Sequence, residues 1–104
     1  MKIAIASTTK TKEGEISPQG GRAPYYLFFD EKFELEAALK NPFASGGGGA
    51  GQAIVKILED RGVSKVVVGK VGDNMKTALE ETNIEFYERE GSILSFLEEI
   101  KDEK

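Results

Sequence analysis

Apolar residues recur along this chain at two spacings, every second position and every third or fourth, and the switches between them mark out eight elements. Ile3-Ala4-Ile5-Ala6 is a compact apolar run of strand length. Ser7 to Pro24 follows with no sustained periodicity, and a connection this long in a compact domain is usually functional or mobile. Tyr25-Tyr26-Leu27-Phe28-Phe29 is strongly β-prone, and Asp30-Glu31-Lys32 turns the chain. Phe33, Leu35, Ala37 and Leu39 then alternate as in a half-buried strand, although Glu34 to Lys40 also suits a helix by propensity. Ala50, Ala53, Ile54, Ile57 and Leu58 form a helical stripe, with Lys56, Glu59 and Asp60 facing away and Gly62 as a left-handed stop. Val66-Val67-Val68 is β-branched throughout, as expected of a central strand covered on both faces. A helix over Asp73–Thr82, a strand over Ile84–Tyr87 and a helix capped by Ser92 complete the chain.

Three strands followed by two helix–strand repeats and a last helix predict a mixed sheet with helices packed on it. If the second strand pairs antiparallel with the first and the crossovers keep the later strands parallel, four strands end on one edge. Four loops then meet there: Ser7–Pro24, Asn41–Gly51, Gly69–Asn74 and Glu88–Ser92, which together hold most of the glycines. Open α/β sheets bind ligands at that carboxyl edge.

Composition narrows the chemistry. The 104 residues predict one domain over 1–104, with a single core. The formal net charge of -4 argues against nucleic acid held by phosphate contacts. Acidic residues concentrate after Glu80, whereas Lys10, Lys12 and Arg22 give the first loop the opposite lean, so an anion is better received there. The chain has no cysteine and no histidine, which removes thiolate chemistry, the commonest general base and the commonest metal ligand. No apolar run reaches membrane-spanning length, and the first strand is too short for a signal peptide, so a cytoplasmic protein without membrane contact is expected.

The candidate site centres on Ser45-Gly46-Gly47-Gly48-Gly49-Ala50-Gly51, which runs directly into the first helix. Bare glycine backbone before a helix N-terminus can form an anion-binding concavity. A flexible loop, or tight packing against a neighbour, would use the same residues. Gly46-x-Gly48-x-x-Gly51 fits the dinucleotide pattern in letters only, because Asn41 to Ser45 separates it from the preceding strand, and a phosphate-binding P-loop motif is absent. Gly69-Lys70-Val71-Gly72-Asp73-Asn74 reads as a strand-to-helix turn whose Asp73 or Asn74 caps a helix, with Lys70 as an added positive charge. Pro18 and Pro24 flank Gly20-Gly21 and hold Arg22 at the mouth of the second strand, suited to bidentate contact with an anion.

The stretch Gly21-Arg22-Ala23-Pro24-Tyr25-Tyr26-Leu27-Phe28-Phe29-Asp30 resembles the "GRAPYFLIVD" segment of the dinitrogenase iron–molybdenum cofactor biosynthesis family, the NifX-like domains. The resemblance continues through Asn41-Pro42, the Gly46–Gly51 run, the valine strand, Gly69-x-x-Gly72-x-Asn74 and Gly91. It implies a three-layer α/β/α, ribonuclease H-like fold with a mixed five-stranded sheet in the order 3-2-1-4-5, strand 2 alone antiparallel, and three helices. It also implies binding or carriage of an iron–molybdenum or iron–sulfur cofactor or its precursor, with cofactor-assembly proteins as partners. Many members read S-x-H-F-G-R, whereas this chain has Gln19 and Gly20 in place of the histidine and phenylalanine, and an amide is a poor soft-metal ligand.

The expected function is therefore a non-catalytic carrier of an anionic cofactor, with Arg22, Ser45, Gly46, Gly47, Gly48, Gly49, Gly69, Lys70, Gly72 and Asn74 as binding residues. The alternative is an interaction domain that kept the fold without the ligand. An enzyme is disfavoured, since ribonuclease H-like nucleases need clustered carboxylates and the first strand here ends in Ser7-Thr8-Thr9.

Overall fold

The computed structural model describes residues 2–44 and 49–102. Strands β1 (Lys2–Ser7), β2 (Tyr25–Phe29) and β3 (Leu35–Lys40) precede helix α1 (Ala50–Asp60). Strand β4 (Val63–Val68), helix α2 (Asp73–Glu81), strand β5 (Glu85–Glu88) and helix α3 (Ile93–Asp102) follow. The sheet runs β3-β2-β1-β4-β5. β2 is antiparallel to both of its neighbours, while β1, β4 and β5 are parallel. Sheet order and strand directions agree with the sequence expectation.

Strict alternation on the central strands builds two cores. Ala4, Ala6, Tyr26, Phe28, Val66 and Val68 pack with Ile54, Val55 and Leu58 of α1 and with Met75 and Leu79 of α2. Ile3, Ile5, Leu27, Phe29 and Val67 point the other way, onto Ile93, Phe96 and Leu97 of α3. Two helices thus cover one face and one helix the other, which makes three layers. Burying each large aliphatic or aromatic side chain contributes about 1.5–3 kcal/mol, so these two-sided strands are the main source of stability.

β3 departs from its expected course. The alternation suggested a strand from Phe33, but Phe33 has φ 65° and belongs to the turn. Asp30 Oδ1 accepts the Lys32 and Glu34 N–H groups at 2.8 and 3.0 Å, and the Phe33 N–H donates to the Asp30 carbonyl at 2.9 Å. A register irregularity between Phe28 and Phe29 then pairs Leu35 with Phe29 and Ala37 with Phe28. Leu35 and Ala37 therefore lie on opposite faces, and Leu35 remains 38% exposed on the sheet edge.

The segment after β1 is more firmly held than its sequence suggested. The Ser17 N–H donates to the Ala6 carbonyl at 2.8 Å, and the Ser17 carbonyl accepts the Gly69 N–H at 2.7 Å. Ser17 thereby joins the ends of β1 and β4. The Ile16 N–H donates to Gly91 O at 2.9 Å, the Ile93 N–H to Gly14 O at 3.1 Å, and the Ile16 side chain is buried in the α3-side core. Among the described residues, no helix is long and apolar enough to cross a membrane.

Candidate functional site

The carboxyl ends of β1, β3, β4 and β5 share one edge, and the segment from Ser17 to Pro24 lies across it. Ser17 folds the chain locally: its Oγ donates to Gln19 O at 3.1 Å. Gln19 makes a parallel bridge to Lys70, and Gly20 to Ala23 closes as a turn, with the Ala23 N–H 3.5 Å from the Gly20 carbonyl. Arg22 is thus carried by a short turn between two pinned points.

Glycines let this segment meet the starts of two helices. A Cβ on Gly20 would come 2.5 Å from Met75 Sδ, and one on Gly51 would come 2.8 Å from Met75 Cβ. A Cβ on Gly69 would fall 2.5 Å from Pro18 Cα. Gly69 meets backbone and Gly51 the root of the Met75 side chain, neither of which can swing aside, so these two are packing residues first, whereas Gly20 meets only the flexible end of Met75 and a Val68 methyl.

Between these parts opens a cavity of about 500 Å³, lined by Pro18, Gln19, Gly20, Gly21, Arg22, Gly51, Lys70, Gly72, Asp73, Asn74 and Met75. Two helix N-termini reach it, α1 through Gly51 and α2 through Gly72 to Met75. Both N-cap residues are glycines, Gly49 and Gly72, and so have no side chain with which to cap. The first intrahelical donations come from the Ala53 N–H to Gly49 O and the Lys76 N–H to Gly72 O, which leaves the preceding N–H groups outside the helical ladder. α3 differs, for Ser92 Oγ accepts the Ser95 N–H at 3.0 Å. The cavity therefore faces the positive ends of two helices together with the cations Arg22 and Lys70, opposed by the carboxylate of Asp73.

The sequence matches the family described as "Dinitrogenase iron-molybdenum cofactor" over residues 1–103. The chain belongs to this family. No curated protein matches it significantly. Among solved structures it is similar to the apo form of the orange protein from Desulfovibrio gigas, with 23% identity and a TM-score of 0.89 over 98% of this chain and 88% of that one. It is also similar to a Thermotoga protein of the DUF35 family solved by NMR and named as a candidate NifB, with 24% identity and a TM-score of 0.81 over 97% and 87%. At these identities the likeness establishes the fold.

Within this dinitrogenase iron-molybdenum cofactor family chain, the structure brings together Arg22, Lys70, Gly72 and Asn74 on one cavity. Gly49 sits at the α1 N-cap with φ 85°, and Gly69 contacts Ser17 and Pro18 beside the cavity. Ser45, Gly46, Gly47 and Gly48 lie outside the described residues. α2 is capped by Gly72 in extended conformation, so Asp73 occupies the first helical turn and does not act as its cap. Met75, Gly20 and Gly21 also line the cavity. In the sequence, the glycine pair between two prolines reads as a stiffened turn holding Arg22, and nothing there ties it or Met75 to the helix starts.

With no cysteine or histidine in the chain, the cavity offers neither thiolate nor imidazole. Among the described residues, no group of three or more acidic side chains is placed to hold a metal ion. The donor set suits a preassembled anion held from outside by N–H groups and cations.

Proposed function

We propose that the protein is a non-catalytic carrier for a bulky anionic metal cofactor, of iron–molybdenum or iron–sulfur type or a precursor of one. The observation that carries this reading is the convergence of two glycine-capped helix N-termini, Arg22 and Lys70 on one cavity. Its volume falls in the range of about 300–1,000 Å³ typical of organic-ligand pockets, larger than a single oxyanion needs. Family membership supports the cofactor class. The cargo would keep its own inorganic ligands, while the protein supplies hydrogen-bond donors and positive charge.

Calorimetric titration of the purified protein with isolated iron–molybdenum cofactor, and separately with molybdate and phosphate, tests this. Tight binding of the cofactor, weaker binding of the simple anions and a loss in Arg22→Ala are expected. If wild type binds none of them, or binds all of them as well as Arg22→Ala does, the carrier reading fails and an interaction domain takes its place.

A further inference from the structure

Two buried polar side chains stand directly behind the cavity wall. Tyr26, on β2, is wholly enclosed, and its Oη donates to the Gly20 carbonyl at 2.5 Å. Burial pushes its phenol far above the ordinary tyrosine value, so the hydroxyl remains a donor at any physiological pH. Asn41, only 4% exposed, donates through Nδ2 to Gly21 O at 3.0 Å and to Ala23 O at 2.8 Å. Its Oδ1 accepts the Phe43 N–H at 2.9 Å, which fixes the orientation of the amide. Three carbonyls of the Arg22-bearing turn are thus drawn inward by two side chains.

A trans peptide holds its N–H opposite its C=O. Turning the Gly20 carbonyl toward Tyr26 therefore turns the Gly21 N–H away from the core, on a stretch of chain that lines the cavity. Asn41 holds the Gly21 carbonyl, which belongs to the peptide entering Arg22, and the Ala23 carbonyl, one residue beyond it, so the chain is anchored on both sides of the Arg22 Cα from which the side chain starts. We propose that Tyr26 and Asn41 are positioning residues that set the Gly21 N–H and the Arg22 guanidinium together as a preformed anion clamp in the cavity wall. This rests on the carrier reading and adds to it the devices that fix the clamp before cargo arrives. Preorganised donors bind better than mobile ones because less ordering is left to the moment of binding. Tyr26→Phe removes one oxygen and leaves the ring packing in place. Among the described residues, the Gly20 carbonyl would then retain only its long contact with the Ala23 N–H.

The test is titration of ¹⁵N-labelled wild type, Tyr26→Phe and Asn41→Ala with molybdate, followed by amide resonances and calorimetry. In wild type the Gly21 amide should shift with molybdate and become protected from hydrogen exchange. In Tyr26→Phe the dissociation constant should rise roughly three- to tenfold, with a smaller Gly21 shift. Asn41→Ala should weaken binding in the same direction. A purely structural role would lower the melting temperature and leave the affinity of the folded protein unchanged. Equal affinity in wild type and Tyr26→Phe, or an unresponsive Gly21 amide in a wild type that binds, overturns this inference while the carrier reading stands. No molybdate response in wild type overturns the clamp, and failure of the isolated cofactor to bind as well overturns the carrier reading.

Discussion

Gly21 rests on the first turn of α1 at Gly51, so closely that a Cβ on Gly21 would lie 2.9 Å from the Gly51 nitrogen and 3.1 Å from its Cα. Both atoms are backbone and cannot swing aside. Gly21→Ala should therefore destabilise the protein by about 1–3 kcal/mol, the usual cost of overpacking. Urea denaturation should show a lower midpoint with an unchanged slope.

Gly72 is the opposite case. Its φ of -75° and ψ of 166° suit an N-cap of any residue type, and nothing lies within 4 Å of where a Cβ would be. Gly72→Ser should cap α2 and raise stability by a few tenths of a kcal/mol, about what serine gains over glycine at an N-cap. The same hydroxyl would occupy N–H groups proposed to face the cargo. A higher melting temperature with weaker molybdate binding is expected, and calorimetry reads both.

The two cations at the cavity should differ in weight. Arg22→Ala should cost about 1.5–3 kcal/mol of anion binding, the range for hydrogen bonds to charged groups. Lys70 presents a point charge on a flexible stem, and Lys70→Ala should cost less. Repeating the titrations between low and high salt should show a flatter salt dependence in both variants than in wild type.

Asp30 gives a pH signature far from the cavity. Its carboxylate is held below the ordinary range chiefly by the Glu34 N–H, with the Lys32 N–H adding to this and partial desolvation opposing it. A carboxyl depressed in the folded state contributes its stability above its unfolded value, roughly 4, and loses it as pH falls through the lower folded value. Both bonds end on Oδ1, so Asp30→Asn can keep them while removing the titration. Wild type should be the more stable above about pH 5, with the gap closing on acidification. Urea midpoints measured across that range check it.

The sheet was legible because its strands advertise themselves. An unbroken aromatic and aliphatic run in β2 and a β-branched run in β4 leave few ways to pair five strands. The start of β3 was not, because the positive φ of Phe33 follows from main-chain bonds to Asp30 and leaves no mark on the hydrophobic pattern. The segment from Thr8 to Pro24 looked unanchored for a similar reason. Its ties are N–H to carbonyl bonds at Ser17, Gly69 and Gly91, and among apolar residues Ile16 alone hinted at burial before Ala23. Hydrogen exchange at the Ser17 and Gly69 amides should accordingly be nearly as slow as at Val66 to Val68, where an unanchored loop would exchange quickly. At the cavity, Arg22, Lys70 and Gly72 could be picked out as charge and bare backbone. Tyr26 could not, since an aromatic in a strand reads as core whether or not its hydroxyl holds a neighbouring wall.

Ser17 divides the long β1–β2 connection into two short closed circuits, one returning to Ala6 and the other carrying Arg22 onward to β2. Because closure cost grows only with the logarithm of length, each small ring costs nearly as much as one large ring would, and the Ser17 bonds to Ala6 and Gly69 offset the second closure. The division also insulates. Lys10 to Lys12 lie on the far side of the knot and are exposed to solvent. That tip is a natural graft point, where added sequence can lengthen the first circuit while the second keeps its span.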